Sequence, residues 1–366
     1  MAHERLDGYL RALAGAEGSD LHVKVGSPPR LRVDGALRRI PGEPELSAAD
    51  TEAMAAAVMR PDVGERFETS ADVDFAYALD GVARFRVNAF RQRGSVALVF
   101  RLVRDATASF DELGLPDVVA RLASEQRGLV LVTGPTGSGK TTTLAAMVDH
   151  INRTRECHVI TIEDPIEVLH PDRLASINQR EIGVDADSFA SAMRAAMRQD
   201  PDVIFVGEMR DEETVAAALS AAETGHLVLS TLHTIDAAET VHRIVDFFPP
   251  HQQHQVRMAL AGSLKGTICQ RLVPRADGSG RVPALEVMVA NGRIQQCIVE
   301  PAQTGEMHTI IAEGDYYGMA TFDQALVRLL EQGLIDMRGA MAAASRPHDL
   351  KVMLQQRAPV AVTNVS

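Results

Sequence analysis

The feature that most constrains this 366-residue chain is an apolar run that gives way directly to glycines. Gly128-Leu-Val-Leu-Val-Thr133 has no polar face, as a strand covered on both sides of a parallel sheet requires. It leads straight into Gly134-Pro135-Thr136-Gly137-Ser138-Gly139-Lys140-Thr141, which fits G-x-x-x-x-G-K-[ST]. From about residue 139 to 151 the pattern is helical. Strand, glycine loop and helix in that order make a phosphate cradle. The glycines let backbone amides curl around phosphate oxygens, and the helix N-terminus adds partial positive charge. Lys140 can reach the outer phosphates of a nucleoside triphosphate, and the hydroxyl of Thr141 can hold Mg²⁺. An accidental Lys-Thr after a glycine-rich turn would lack the flanking strand and helix. Gly134 to Thr142 is therefore the expected nucleotide-binding set.

The pattern recurs downstream. Apolar runs at His158-Val-Ile-Thr-Ile162, Asp202-Val-Ile-Phe-Val206 and His226-Leu-Val-Leu-Ser230 alternate with helical segments near 139–151, 188–199, 211–223 and 236–246. Such a βα series builds an α/β domain on a mostly parallel sheet. Two of the runs end in carboxylates: Glu208 follows Val206-Gly207, and Glu163 opens Glu163-Asp-Pro-Ile-Glu167. Ligands bind at the carboxyl ends of parallel strands, so both acids belong near the glycine loop. One could act on Mg²⁺, directly or through water, while the other takes a proton from an attacking water. The residue types leave that division open. The favoured reading makes Glu163 the base and puts Glu208 with Thr141 at the metal; a surface carboxylate is the plainer account of Glu208. Residues 251–270 read as one long helix, because Val256, Leu260, Leu264 and Ile268 recur at steps of four. Arg281 to Val289 suggests a late strand. Residues 321–332 and 336–345 suggest a small helical end with Thr321 as a cap, and the last dozen residues read as loose.

Before the loop, short strands of alternating character replace the long apolar runs. Residues 3–14 read as an amphipathic helix, and Asp20-Leu-His-Val-Lys-Val alternates polar and apolar residues. Asp34-Gly35 marks a turn, 47–59 a helix, and Asp72-Val-Asp-Phe-Ala-Tyr another strand. Val82 to Phe90 and Ser95 to Val103 read as a hairpin joined across Arg91-Gln-Arg-Gly94. The first hundred residues thus form a small α+β domain with an antiparallel sheet. A polar connection at 104–116 ends in Leu115-Pro116.

Bulk properties narrow the class. The net charge is −12, which argues against a non-specific nucleic-acid binder and against direct nucleic-acid partners. Cys157, Cys269 and Cys297 are too scattered for a zinc ribbon or a disulfide scaffold and read as reduced thiols of a cytosolic protein. The first residues lack a signal-peptide core, and no apolar run is long enough for a membrane span.

Further motifs extend over nearly the whole chain. They are the acidic box Thr161-Ile-Glu-Asp-Pro-Ile-Glu167, the stretch Arg198-Gln-Asp-Pro-Asp-Val-Ile-Phe-Val-Gly-Glu-Met-Arg-Asp211, and the histidine box Thr224-Gly-His226-Leu-Val-Leu-Ser-Thr-Leu-His233-Thr234. Ser19-Asp-Leu-His22, Val33-Asp-Gly35, Arg84-Phe-Arg-Val-Asn88 and Gly318-Met-Ala-Thr-Phe-Asp-Gln-Ala325 complete the set. With these motifs the chain resembles the type IV pilus retraction ATPases, the twitching-motility members of the secretion ATPase superfamily.

The resemblance implies a PAS-like α+β domain at 1–103, a linker at 104–116, a RecA-like P-loop ATPase domain with a helical C-terminal end at 117–350, and a flexible tail at 351–366. It implies ATP with Mg²⁺, bound between the two domains, and a homo-hexameric ring. The ring would be cytoplasmic, recruited to the inner membrane by a pilus platform protein, with a paralogous pilus ATPase as a further partner. It also implies that His226 and His233 connect nucleotide state to domain movement. From the residues alone, His226 could be a surface residue between helix and strand, and His233 a hydrogen-bonding loop residue. Arg86 and Arg91 become candidates for sensing nucleotide across a hinge or subunit boundary, with Arg198 and Arg210 behind them; a solvated strand face would also account for the hairpin arginines. The alternatives are an accessory retraction ATPase, an extension ATPase of the same superfamily and a non-enzymatic nucleotide-binding ring. Extension members usually carry a longer N-terminal region and often a four-cysteine insertion, which favours the retraction branch. One departure stands out. Where retraction enzymes carry an Ala-Ile-Arg-Ala-Gly-Glu-like element, this chain has Gln296-Cys-Ile-Val-Glu300.

Overall fold

A computed structural model of the chain describes residues 2–103 and 108–357. They divide into two compact units. One comprises the described residues of Met1–Ala106 with Pro165–Leu169, and the other those of Thr107–Asp164 and His170–Ser366. The acidic box is thus split, because Pro165–Leu169 groups with the earlier residues. Positions 104–107 of the expected linker lie outside the described residues, and 108–116 group with the second unit. Of the expected tail, 351–357 belong to helix Pro347–Arg357, and 358–366 lie outside the described residues.

The first unit is an antiparallel sheet of β1 (Asp20–Lys24), β2 (Arg30–Val33), β3 (Ala36–Arg39), β4 (Asp72–Leu79), β5 (Ala83–Gln92) and β6 (Ser95–Val103), in the order β3-β2-β1-β6-β5-β4. This is an α+β unit with an antiparallel sheet, as its alternating strands imply. Leu6, Leu10 and Leu13 of helix Ala2–Gly15 and Met54 of helix Ala48–Val58 share its core with Phe85, Val87, Leu98 and Phe100. The hairpin turn is Arg93-Gly94, with φ of 49° and 78°. Two consecutive positive φ values match the right-handed twist of the flanking strands.

The second unit carries β7 (Gly128–Thr133), β8 (His158–Glu163), β9 (Ser176–Glu181), β10 (Val203–Val206), β11 (Leu227–Leu232), β12 (Leu264–Pro274) and β13 (Arg281–Val289), in the order β13-β12-β7-β11-β10-β8-β9. All neighbours pair in parallel except β12 with β13. Both faces are covered, which explains the unbroken apolar runs. Leu129 and Leu131 join one core with Met193, Val215 and Val241, while Val130 and Val132 join another with Leu144, Val148 and Ile151.

The helix expected over 251–270 divides instead into helix Gln253–Ser263 and strand β12. Gly262 and Gly266 weaken helix continuation. At Gly266 a Cβ would stand 2.7 Å from Met288 O, so the approach of β13 also requires a glycine there. The period-four spacing of Leu260, Leu264 and Ile268 reflects shared burial across two elements rather than one helical face. Helix Phe322–Glu331 begins at Thr321, whose side chain accepts from Gln324 N in a capping box. Among the described residues the three cysteines are free, and no helix is long and apolar enough to cross a membrane.

Candidate functional site

The glycine loop leaves β7 at Thr133, and helix Lys140–Thr154 starts at its far end. Gly139, at the N-cap, has φ 92°, provides no side-chain cap, and is followed by no acidic residue in the first turn. The first helical amides are therefore left to an anion. Gly134 has φ 141°, and a Cβ there would lie 2.4 Å from Gln270 O, so backbone packs directly against backbone. The Ser138 hydroxyl is buried and makes no hydrogen bond among the described residues. Lys140 is 9% exposed. Its Nζ donates to Gly134 O at 2.8 Å and Pro135 O at 3.1 Å, and lies 3.5 Å from His233 Nδ1.

Parallel register brings further strand ends to the loop. Thr133 pairs with Leu232, so His233 leaves β11 beside Gly134, where β7 ends. Val206 pairs with both Ser230 and Ile162, which sets Glu163 at the end of β8 and Glu208 just past the end of neighbouring β10. The turn carrying Glu208 is fixed by β11: Thr231 Oγ1 donates to Gly207 O at 2.7 Å, and Met209 N to Thr231 O at 3.2 Å.

The Glu208 carboxylate is held at both oxygens, with His233 Nε2 3.2 Å from Oε1 and Arg210 Nη2 2.9 Å from Oε2. The bond to Glu208 raises the Arg210 pKa further. A neutral His233 with its proton on Nε2 satisfies both neighbours, accepting from Lys140 and donating to Glu208. Arg210 Nη1 also lies 3.8 Å from Asp164 Oδ2. Glu163 is 6% exposed, and its Oε1 accepts from Thr161 Oγ1 at 2.6 Å and from Gln179 Nε2 at 3.0 Å.

Thr141 and Glu208 offer hard oxygen donors of the kind Mg²⁺ takes. Among the described residues no three His, Cys, Asp or Glu side chains form an all-protein metal cage. That donor set suits Mg²⁺, which is characteristically bound by one or two protein oxygens together with substrate phosphates and water. A cavity of about 590 Å³ opens beside the loop, with Gly139, Thr142, Gln270, Leu272, Arg275 and Leu115 in its wall.

Within the second unit, His226 and Arg198 stand apart from this cluster. His226 precedes β11, at the amino edge of the sheet, where its backbone carbonyl accepts from Gly128 N. Its Nδ1 is 3.0 Å from Ala221 O. The six-residue β11 thus separates His226 from His233 by roughly 20 Å. Arg198 is at the same amino edge, shortly before β10, and donates to Arg194 O at 3.0 Å. In the first unit, Arg86 and Arg91 lie on opposite faces of β5. Arg86 pairs with Glu167 at 3.1 Å, while Arg91 lies over the Phe67 ring at 4.8 Å. Sequence reading missed Thr161, Gln179 and Gln270. Thr161 stands inside the acidic box, two residues before Glu163; Gln179 lies on a strand that the sequence reading did not place, and Gln270 was hidden by the helical reading of its strand.

A family model described as type II/IV secretion system protein matches residues 9–314. The type IV pilus retraction ATPase PilT of Pseudomonas aeruginosa is 45% identical over 93% of this chain and 98% of its own length. The type IV pilus ATPase PilU of the same organism is 39% identical over 94% of this chain and 90% of its own. A crystal structure of the pilus retraction motor PilT with bound ADP superimposes with a TM-score of 0.87 at 46% identity, covering 95% of this chain and 99% of that one. The glycine loop, its parallel sheet and these relationships lead to one conclusion: the chain is an ATPase of the type II/IV secretion system protein family.

Proposed function

We propose that ATP hydrolysis at Gly134 to Thr142 drives retraction of a type IV pilus. The observation that carries this reading is the 45% identity to PilT across 98% of that protein, together with an intact loop in this chain. The loop amides and Lys140 hold the phosphates, and the 590 Å³ cavity takes the nucleoside. Thr141 and Glu208 would hold Mg²⁺, which would supply positive charge beside the phosphate oxygens.

Glu163, oriented by Thr161 and Gln179, takes a proton from the attacking water. The water oxygen bonds to the γ-phosphorus as the bond to ADP breaks, and the bridging oxygen leaves with the electron pair. His233 ties Lys140 to Glu208. Arg86, Arg91, Arg198 and Arg210 are candidates for charge supplied from a neighbouring subunit, and His226 for relaying nucleotide state. Six copies form a ring on the cytoplasmic side of the inner membrane, where the ring works on a platform protein at the pilus base.

A second reading, an accessory retraction ATPase working beside a paralogue, is supported by the 39% identity to PilU. Deleting the gene and imaging pili decides between them. Abundant fibres that do not retract support the retraction motor, whereas unchanged retraction supports the accessory role and bald cells an extension role. Purified Lys140→Ala protein should release no phosphate; sustained release would sink the site.

A further inference from the structure

Strand β12 runs on past the end of β7. Its Cys269 pairs with Thr133, so Gln270 falls alongside the glycine loop. Gln270 is 3% exposed and uses both ends of its carboxamide there. Nε2 donates to Ser138 O at 2.7 Å, and Oε1 accepts from Thr143 Oγ1 at 2.8 Å. One side chain thereby ties the loop to the first turn of its helix.

The same residue explains two of the glycines. A Cβ at Gly134 would lie 2.4 Å from Gln270 O, and one at Gly139 would lie 2.6 Å from Gln270 Nε2. The loop is thus moulded against Gln270 at both ends.

Its grip on Ser138 has a directional effect. A trans peptide is planar, with the N–H pointing opposite to the C=O. Holding the Ser138 carbonyl toward β12 therefore turns the Gly139 N–H away from β12. We propose that Gln270 is a positioning residue that presets the Gly139 amide for a nucleotide phosphate, with Thr143 fixing which end of the carboxamide faces the loop. This rests on the reading of Gly134 to Thr141 as the phosphate site. Glutamate at this position could still accept from Thr143 but would have no N–H for Ser138. Methionine would fill similar space and make neither bond.

The test uses the full-length protein with ADP as the binding probe and ATP as the substrate. Gln270→Met should raise the Kd for ADP and the KM for ATP about tenfold, the worth of a buried neutral hydrogen bond. The turnover number should change by less than about twofold, because an amide fixed before binding acts on ground and transition states alike. Thr143→Val, which frees the carboxamide to turn, should shift both constants the same way by about threefold. A purely architectural role would instead lower the melting midpoint and the active fraction while leaving KM untouched. That result, or an unchanged ADP affinity in Gln270→Met, overturns the proposal. If Gln270→Met does not fold, Thr143→Val decides, and wild-type affinity there overturns it. Lys140→Ala separates the two levels: hydrolysis surviving in that variant defeats the loop reading itself. Its loss, beside wild-type behaviour of Gln270→Met, defeats only the role of Gln270.

Discussion

His233 Nε2 lies 3.2 Å from Glu208 Oε1, joining the end of β11 to the turn that follows β10. The other ring nitrogen faces Lys140, so a single imidazole connects the amine proposed to bind phosphate to the carboxylate proposed for the metal. His233→Ala should lower the turnover number about tenfold or more, because Glu208 loses one of its two holders. ADP affinity should remain within about twofold, since Lys140 keeps its two carbonyl partners. Steady-state phosphate release beside a binding titration checks both, and a turnover number that stays at the wild-type level rules out the coupling.

The two carboxylates should fail in different ways. Glu163→Gln removes the proposed base and should cut turnover about a hundredfold or more while ATP still binds. Glu208→Gln should make the rate dependent on added Mg²⁺, with part of the loss restored as Mg²⁺ is raised. Mg²⁺ titrations of both variants distinguish the roles; rescue of Glu163→Gln instead would exchange the assignments.

His170 supplies a pH prediction. Burial pushes its imidazole from the ordinary value near 6.5 down to about 4, outweighing the nearby Asp149 carboxylate. Between those values the unfolded chain binds a proton that the folded chain refuses. Stability should therefore be full above about pH 6.5 and fall as the pH drops toward 4, by up to about 3 kcal/mol from this group. His170→Asn should flatten that part of the profile in denaturant melts at pH 7 and pH 5. An unaltered slope would remove His170 as its source.

Arg86 and Arg91 are separable because they occupy opposite faces of β5. Arg91→Ala should cost the first unit about 0.5–1 kcal/mol by removing the guanidinium from the Phe67 ring. Arg86→Ala loses only a half-exposed pair with Glu167, worth about 1 kcal/mol or less. If Arg86 supplies charge to a neighbouring subunit's phosphates, its loss should lower turnover with little change in melting temperature. Thermal melts and ATPase rates measured on the same preparations tell these effects apart.

The sequence was most informative where local chemistry decides the structure. The glycine loop, the buried runs of β7, β8, β10 and β11, and the Arg93-Gly94 turn each express one backbone requirement through residue type. It was least informative where tertiary pairing decides. Burial alone does not distinguish helix from strand at Leu264 and Ile268, and the local signal of Gly262 and Gly266 only weakens a helix; pairing with β7 and β13 settles the matter. The resemblance gives the two box histidines one role, yet they stand at opposite ends of β11 because one precedes the strand and the other follows it. Gln179 became part of the site only once β8 and β9 were paired, because it reaches Glu163 from the neighbouring strand.

The convergence of β7, β8, β10, β11 and β12 on one loop also bears on how the chain matures. Lys140 meets a residue 93 positions away, and Thr143 one 127 positions away. Pairings of such long range form slowly, because loop-closure entropy must be overcome before they yield any stabilisation. A partly folded chain, even with β7 and its helix in place, lacks the β12 wall and the His233 link. During refolding, nucleotide binding should therefore return with the last strand to dock. Since nucleotide favours the completed sheet by mass action, ADP should act as a folding ligand as well as a reaction product.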